Sequence, residues 1–298
     1  MANWKNYAQP KTVDDALQSL VQAQGEVAVI GGGTDLLLDI QQGRHCPVDT
    51  LVDVTGIEEM QDISISSNQI FLGASVTHAE IVNNPILQQH AQCVVEGCGL
   101  IGGPQVRNVA TIGGNVSHAL PAGDGTISLM AMDSEVQLAS AEGRRWVSLG
   151  DVFAGPGKTT FDRNQEIVVG FRFSTSQPGE GSAFDRVMRP QGVAIAIQNM
   201  AVWLRCTPNG VVDSLRLSVG PAGPTPLRAV LTEKVVSGKK MNQGTFDLAC
   251  EELASEARLR TSRHRATSEY RYHLLPVLFK RVLGMAYQRS TGKPLPVA

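Results

Sequence analysis

The sequence has few cysteines, and their positions exclude the structures that cysteine clusters build. The five cysteines are odd in number, form no C-x-x-C pair and are scattered over the chain at Cys46, Cys93, Cys98, Cys206 and Cys250. Such a set does not predict a disulfide framework. Nor does it predict an iron–sulfur cluster, which normally takes four thiolates at short spacings. We interpret all five as buried, inert thiols.

An excess of positive charge and long apolar runs are also missing. The chain carries 26 Lys and Arg residues against 28 Asp and Glu residues, a formal net charge of −2, so nothing indicates a nucleic-acid-binding face. No run approaches the roughly 18 apolar residues of a membrane span. The first residues, Met1–Gln9, lack the apolar segment of a signal peptide. We therefore expect a cytoplasmic protein without a membrane span.

Residue patterns for metal-dependent and nucleophilic catalysis are absent as well. No two of the six histidines stand at the i, i+4 spacing of a zinc site. Gly155–Thr159 resembles the end of a phosphate-binding P-loop, but Val152 occupies the position of the first glycine of that motif. We expect no metal site, and we expect no side chain of this chain to act as a catalytic nucleophile or base.

The length and the periodicity of the chain predict two mixed domains. A chain of 298 residues exceeds the roughly 100–200 residues of a typical domain. Apolar residues at helical spacing predict a helix over Thr12–Gln24, and residues 99–125 are predicted to be a long functional loop. Further strands are predicted at 26–30, 50–54, 63–65, 69–73, 182–187, 193–206 and 211–219, and further helices at 35–41, 77–99, 227–235, 245–257 and 267–287.

The first glycine segment, Ile30–Thr34, stands between a predicted strand and a predicted helix. Its three glycines leave backbone N–H groups open to a ligand, and a helix capped by Thr34 adds donors for a phosphate. A diphosphate site and a plain turn both agree with this segment alone. A Rossmann site is a third interpretation, because Asp53 follows at about the distance of a ribose-binding carboxylate. Leu36 stands where the Rossmann motif needs its last glycine, which disfavours that site.

The second glycine segment, Thr111–Asn115, is followed by Asp124. It again places paired glycines beside a hydroxyl and an amide, and the carboxylate of Asp124 can accept hydrogen bonds from ribityl hydroxyls. An irregular connector is the alternative. Two such segments in one chain suit a long diphosphate ligand better than either does separately. We expect valine at Gly113 or Gly114 to displace that ligand and to leave the fold largely intact.

These motifs and others give the chain a resemblance to a known family. The markers are Gly31–Leu36, Gln105–Arg107, the second glycine segment, Asp124, Glu166–Val169, Ser182–Phe184 with Arg189, and Glu269–Arg271. Over nearly its whole length the chain resembles the FAD-binding medium subunits of the molybdenum hydroxylases, the xanthine dehydrogenase, carbon monoxide dehydrogenase and aldehyde oxidoreductase family. The resemblance implies an α+β fold. A vanillyl-alcohol-oxidase-type (PCMH) FAD-binding domain with two subdomains is expected over residues 1–177, and an α+β CO-dehydrogenase-flavoprotein C-terminal domain over residues 178–298.

The resemblance also implies a set of residues around a non-covalently bound FAD. Val29–Thr34 is expected to wrap the diphosphate. The opposite wall is expected to consist of Thr111, Gly114, Asn115, Ser117 and His118. Asp124 is expected to hold the ribityl or ribose region, and two apolar side chains to pack on the isoalloxazine. The complete expected set is Val29, Ile30, Gly31, Gly32, Gly33, Thr34, Asp35, Ile101, Thr111, Gly113, Gly114, Asn115, Ser117, His118, Asp124 and Val168.

Two positions depart from the pattern of the family. Asp185 stands where relatives often carry a lysine that reaches the flavin, although the neighbouring Arg186 offers a cation. Leu120 stands where relatives often carry a small polar residue. The resemblance therefore leaves the surroundings of the flavin open at these positions.

The function that the resemblance implies is electron transfer within a larger complex. A molybdopterin-binding subunit is expected to oxidise the substrate, and an iron–sulfur subunit to pass electrons from [2Fe–2S] clusters to the FAD of this chain. The FAD then passes them to NAD⁺ or another acceptor. The scattered cysteines agree with clusters on another subunit. Two alternatives stay open, a stand-alone flavin-dependent oxidoreductase and a cofactor-free assembly protein of the same fold.

Overall fold

A computed structural model describes residues 4–44, 46–189, 195–263 and 265–297. The strands of these residues are β1 (Asn6–Ala8), β2 (Val27–Ile30), β3 (Thr50–Asp53), β4 (Ile63–Ser66), β5 (Gln69–Gly73), β6 (Glu135–Ser140), β7 (Gly143–Ser148), β8 (Phe153–Gly155), β9 (Lys158–Thr159), β10 (Ile167–Ser174), β11 (Glu180–Val187), β12 (Gln198–Cys206), β13 (Val211–Gly220), β14 (Leu227–Arg228) and β15 (Lys239–Lys240). The helices are α1 (Val13–Gln22), α2 (Leu36–Gln41), α3 (His78–Asn83), α4 (Pro85–His90), α5 (Gln92–Gly99), α6 (Pro104–Arg107), α7 (Ile112–Ser117), α8 (Asp124–Ala131), α9 (Val230–Val236), α10 (Gln243–Glu256) and α11 (Ser268–Thr291).

Contacts along the chain divide it into two compact units. Unit 1 comprises Met1–Ile81, Gly103–Ala119 and Ser134–Ser174, and unit 2 comprises Val82–Gly102, Leu120–Asp133 and Thr175–Ala298. Two segments that precede the predicted boundary at residues 177 and 178 thus pack with the C-terminal part of the chain. The division into domains 1–177 and 178–298 stays a prediction.

Unit 1 contains two larger sheets. The strands β1, β3 and β2 form a parallel sheet in that order, and β4, β5, β10, β6 and β7 form an antiparallel sheet in that order. The central strand β3 is buried at every residue, as expected of a parallel strand covered on both faces. In the antiparallel sheet, Phe171 of β10 pairs with Leu72 on one side and Val136 on the other, and all three side chains are fully buried.

Helix α1 shows how closely the local sequence determines an element of unit 1. Thr12 accepts a hydrogen bond from the backbone N–H of Asp15 at 3.0 Å, which satisfies one of the free donors of the first turn. The apolar residues at spacings of three and four are the buried ones, namely Val13, Ala16, Leu17 and Leu20. The predicted helix and its cap are therefore confirmed.

Unit 2 is an antiparallel sheet packed against helices. The strands β11, β12, β13 and β14 follow one another in the sheet, and β15 pairs with β13. Val202 of β12 pairs with Ala183 and with Leu217, and all three are fully buried. Helix α11 contributes a stripe at helical spacing to the same core, consisting of Leu275, Leu278, Phe279, Val282, Leu283 and Ala286. The helix ends at Thr291, and the following residue, Gly292, has a φ of +70° that favours glycine.

The predictions fail where tertiary contacts decide the local structure. Residues 99–125 are not one long loop, because they contain α6, α7 and the start of α8. Leu227–Arg228, predicted to begin a helix, pairs with β13 as a strand. The residue before α2 is Asp35, and its side chain makes no capping hydrogen bond, so the predicted cap at Thr34 is wrong. Part of the strand predicted over 193–206 lies outside the described residues.

In the described part of the chain, no helix combines the length and the apolar composition that crossing a membrane requires.

Candidate flavin site

The first glycine segment forms the turn between β2 and α2 in unit 1. Gly33 has a φ of +67°, a left-handed conformation that favours glycine. The backbone N–H groups of Gly31, Gly32 and Gly33 donate to no acceptor among the described residues. Successive unpaired N–H groups form a concavity that attracts anions. The donors of this turn therefore fit a phosphate group.

The two glycine segments lie against each other within unit 1. A Cβ added to Gly32 stands 1.9 Å from the carbonyl oxygen of Val109, and one added to Gly31 stands 2.7 Å from Oγ1 of Thr111. Both distances are shorter than side-chain carbons normally allow. At Gly32 the obstacle is backbone, so only glycine permits this approach, whereas at Gly31 the hydroxyl of Thr111 would have to move. The structure thus brings together the two segments that the sequence singled out. Their role as two walls of one cofactor site stays a prediction.

The second glycine segment uses its own amides inside the fold. The N–H group of Gly113 donates to the carbonyl of Ala74 at 2.8 Å, and that of Gly114 donates to Oγ1 of Thr111 at 3.1 Å. These two amides are therefore paired within the fold. The role of Gly113 and Gly114 in binding FAD stays a prediction. What the segment presents to the first glycine segment is the hydroxyl of Thr111, which caps α7.

His118 follows α7 and faces α2. Its Nδ1 is 3.7 Å from Oδ2 of Asp35, and its Nε2 is 3.6 Å from Oδ2 of Asp39. Nε of Arg44 lies 3.4 Å from Oδ1 of Asp39. The predicted residues Asp35 and His118 are thus brought together. Asp39 and Arg44 were missed, although the i, i+4 spacing of Asp35 and Asp39 places both carboxylates on one side of a helical turn.

The other predicted residues of unit 1 differ in accessibility. Val29 is half-buried in β2, and Ile30 is buried in a small apolar core. Asn115 and Ser117 are half-buried on α7. Val168 is buried at a bulge of β10, next to its partner strand β6. Contacts of these residues with FAD stay predictions.

In unit 2, Asp124 is the centre of a buried polar network. Its Oδ1 accepts a hydrogen bond from Nδ2 of Asn199 at 2.6 Å, and its Oδ2 pairs with Nη1 of Arg186. Burial raises the pKa of the Asp124 carboxyl above its ordinary value, and the attraction of Arg186 opposes this change. Arg186 also donates to the carbonyl of Leu100 at 2.6 Å, next to the half-buried Ile101. The sequence predicted Asp124 only as a cofactor ligand and missed its partners Arg186 and Asn199.

The two departures from the family pattern have distinct environments in unit 2. Asp185 pairs with Nη1 of Arg281 at 2.8 Å, so its charge is compensated locally. Arg186, considered as an alternative cation for the flavin, directs its guanidinium to Asp124. Leu120 is exposed.

A buried histidine lies beneath the second glycine segment. The backbone N–H of His78 donates to the carbonyl of Ala110 at 3.0 Å, and Nδ1 of its ring has no hydrogen-bond partner among the described residues. Burial and the nearby charge of Arg107 lower the pKa of His78 to about 4. The imidazole is therefore neutral at physiological pH. Sequence reasoning missed it because burial of a single histidine leaves no periodic signal.

Asp53, the carboxylate of the Rossmann interpretation, is held by protein donors. It is buried, and it accepts hydrogen bonds from the hydroxyl of Tyr7 at 2.8 Å and from the hydroxyl of Thr55 at 2.6 Å. Burial alone raises the pKa of Asp53, but the hydrogen bonds from Thr55 and Tyr7 outweigh burial and lower it. The carboxylate serves the fold at the end of β3, which is a further argument against the Rossmann site.

The described residues contain no group of three or more His, Cys, Asp or Glu side chains placed to hold a metal ion. None of the five cysteines forms a disulfide, and the expectation that all five are buried is wrong for the exposed Cys46 and the half-buried Cys250. Burial raises the pKa of Cys93 to about 12, which keeps this thiol protonated and inert.

The turn at Gly31–Gly33 presents amides without an acceptor among the described residues, and such donors fit a phosphate-containing cofactor. Residues 2–173 match the family described as FAD binding domain in molybdopterin dehydrogenase, and residues 182–286 match the CO dehydrogenase flavoprotein C-terminal domain. The chain belongs to this family of FAD-binding oxidoreductase components. The predicted family, fold class and FAD cofactor are confirmed.

Similar proteins cover the chain almost completely. A putative xanthine dehydrogenase FAD-binding subunit of Escherichia coli (strain K12) is 29% identical over 300 residues, which are 98% of this chain and 99% of the relative. The carbon monoxide dehydrogenase medium chain of Hydrogenophaga pseudoflava is 27% identical over 283 residues, 95% of this chain and 97% of that protein. A solved structure of carbon monoxide dehydrogenase from Hydrogenophaga pseudoflava superposes with a TM-score of 0.90 at 27% identity, covering 96% of this chain and 98% of the other.

Proposed function

We propose that this chain is the FAD-carrying electron-transfer subunit of a molybdopterin-dependent hydroxylase or dehydrogenase. The observation that carries the proposal is the turn at Gly31–Gly33, whose N–H groups have no acceptor among the described residues. The turn packs on Val109–Thr111 so closely that a side chain at Gly32 is excluded, and one at Gly31 would displace the hydroxyl of Thr111. Unpaired backbone donors in such a turn cost free energy unless water or a ligand accepts hydrogen bonds from them. A diphosphate supplies those acceptors.

Residues of unit 1 have different tasks in this proposal. The amides of Gly31–Gly33 bind the diphosphate, and the hydroxyl of Thr111 lies next to the same turn. His118 and Asp35 flank the turn. The amides of Gly113 and Gly114 hold the second glycine segment in place. When bound, FAD supplies the electron-accepting and electron-donating chemistry, and the protein supplies its position and surroundings.

We assign the [2Fe–2S] clusters and the molybdopterin to two partner subunits. The relatives from Escherichia coli and Hydrogenophaga pseudoflava are named as an FAD-binding subunit and a medium chain, names that describe parts of larger enzymes. The described residues of this chain hold no metal-binding group. Electrons then enter from the iron–sulfur subunit and leave to NAD⁺ or another acceptor. We also propose a cytoplasmic location, because none of the five cysteines forms a disulfide and disulfides are typical of oxidising compartments.

The binding of FAD is tested on the purified full-length chain. We expect a flavin absorption spectrum, and we expect denaturation to release FAD rather than FMN. A colourless chain that does not rebind added FAD contradicts the proposal and favours the cofactor-free assembly protein. Substrate turnover by the chain alone, without partner subunits, favours the stand-alone oxidoreductase instead.

The place in a complex is tested by purification from the native source. We expect the chain to co-purify with an iron–sulfur subunit and a molybdopterin-binding subunit, and the complex to contain iron and molybdenum. The chain expressed alone serves as the control, and it is expected to contain FAD without either metal. Recovery of the native chain without both partners contradicts the assignment. Addition of NAD⁺ to the reduced complex decides whether NAD⁺ is the acceptor.

A further inference from the structure

Two carboxylates stand beside the turn that is proposed to hold a diphosphate. Asp35 directly follows the first glycine segment, and Asp39 follows one helical turn later. Both carry the same sign of charge as the ligand, so they oppose its binding unless they are compensated. Arg44 contacts Asp39. In the part of the chain that the structure describes, the basic group beside Asp35 is the imidazole of His118, which carries a charge only when it is protonated.

The imidazole of His118 lies between these two carboxylates. Its side chain is 30% exposed, and those of Asp35 and Asp39 are 60% and 25% exposed. Each ring nitrogen faces a different carboxylate, at 3.7 and 3.6 Å. A neutral imidazole carries one N–H group and can donate to only one of the two, whereas a protonated imidazole donates from both nitrogens. The geometry is thus suited to the charged form.

We propose that His118 is a proton-dependent positioning residue of the flavin site, whose protonation and the binding of FAD favour each other. This inference rests on the proposed function. Protonated His118 neutralises a carboxylate beside the phosphate-binding turn, and it joins α2 to the end of α7, which carries the second glycine segment. The charged groups that face it among the described residues are Asp35 and Asp39 of the α2 segment, with Arg44 beyond them.

The coupling between the proton and FAD is reciprocal. If the proton strengthens FAD binding, bound FAD strengthens proton binding by the same factor. Histidine side chains change charge between about pH 5 and 8, and the diphosphate of FAD stays ionised throughout that range. The affinity for FAD therefore rises as the pH falls.

The test measures rebinding of FAD to the full-length chain from which flavin has been removed. The dissociation constant is determined from flavin fluorescence at several pH values from about 6 to 8, for the wild-type chain, for His118→Gln and for a control, His273→Gln. His273 is exposed on α11. We expect the wild type and the control to bind FAD several times more tightly at the lower pH, and His118→Gln to show little dependence on pH.

A second variant keeps the test decisive if His118→Gln does not fold. Asp35→Asn changes an exposed side chain and removes the carboxylate that His118 compensates. We expect it to bind FAD more tightly than the wild type at high pH, with a weaker dependence on pH. Calorimetry in two buffers of different ionisation enthalpy is expected to show proton uptake when FAD binds to the wild type.

The outcomes separate this inference from the proposed function. Equal affinity of the wild type across the pH range overturns the role of His118, and so does an unchanged pH dependence in His118→Gln or in Asp35→Asn. Each of these results leaves the proposed function in place. Failure of the wild type to bind FAD at any pH overturns the proposed function itself.

Discussion

At the scale of single residues, the glycines of the two segments serve different purposes. Gly33 is required by its positive φ, Gly32 by the carbonyl of Val109, and Gly113 by the backbone of Ala74. Gly114 is exposed and has only the hydroxyl of Thr111 near the position of a Cβ. The sequence shows that glycines cluster here, but it does not show which amides remain unpaired, because that depends on partners distant in the chain.

Alanine at Gly32 is expected to weaken both the fold of unit 1 and the binding of FAD. Its Cβ lies 1.9 Å from a backbone oxygen that cannot rotate away, so the two segments must separate. Overpacking of this kind costs about 1–3 kcal/mol. The control is Gly155→Ala, where no atom lies within 4 Å of the added carbon. Thermal unfolding and FAD titration measure both effects, and equal behaviour of the two variants contradicts the contact.

Valine is expected to have different effects at the two glycines of the second segment. At Gly113 the first added carbon lies 2.6 Å from the carbonyl oxygen of Ala74, so we expect loss of folded protein. This corrects the expectation from the sequence that either substitution leaves the fold intact. At the exposed Gly114 we expect a folded chain. Soluble yield and circular dichroism compare the variants, and a stable Gly113→Val protein contradicts the packing.

At the scale of elements, a regular apolar periodicity predicts helices correctly, whereas the contacts that one element makes with another cannot be read from the sequence. Helix α1 follows from an amphipathic pattern with a capping threonine, and the structure confirms it. Helix α7 was predicted as loop because a segment with adjacent glycines has low intrinsic helix propensity. It forms because Thr111 caps it and because its first N–H groups, those of Ile112 and Gly113, donate to carbonyls of Val76 and Ala74. The sequence does not reveal these acceptors, because they are distant from α7 along the chain.

The start of α8 and the strand β11 are held together by a buried ion pair. The side chains of Asp124 and Arg186 are each 6% exposed, and removal of one member of such a pair costs about 3–5 kcal/mol, because the other charge stays buried. We expect Arg186→Met to lower the free energy of unfolding by that amount. Arg186→Met combined with Asp124→Asn is expected to recover much of the loss, since both charges are gone.

An exposed ion pair of the same unit provides the control for this cycle. Arg205 and Asp213 are 49% and 45% exposed, and pairs of this kind contribute about 0–1 kcal/mol. Arg205→Met is therefore expected to change the denaturant midpoint only slightly. If both single variants lose the same stability, or if the double variant recovers nothing, the buried network does not have the assigned role.

At the scale of the whole molecule, buried His78 is expected to make stability depend on pH. Its pKa falls from 6.5 to about 4 on folding, so the unfolded chain takes up a proton first as the pH falls. The free energy of unfolding therefore decreases between about pH 6.5 and pH 4, by about 3 kcal/mol in total.

Denaturant titrations of the wild type and of His78→Leu measure this contribution. The leucine variant lacks the titrating group. An apolar side chain replaces the imidazole, whose Nδ1 has no hydrogen-bond partner among the described residues of the wild type. We expect its stability to fall less over the same pH range. His273→Gln, on an exposed position of α11, should follow the wild type. Parallel pH profiles of His78→Leu and the wild type contradict the assignment.

The interleaved order of the two units has a consequence for recombination between related genes. Segments 82–102 and 120–133 belong with residues 175–298, and Glu96 of α5 holds both the backbone N–H of Phe184 and the guanidinium of Arg289. A crossover at residue 177 would take the two sides of such contacts from two different parental genes, whose sequences have diverged independently. Gene shuffling should therefore tolerate exchange of all three segments together better than exchange at a single junction. The segments that need to come from the same parental gene are therefore those in contact, and the linear order of the gene does not show which segments these are.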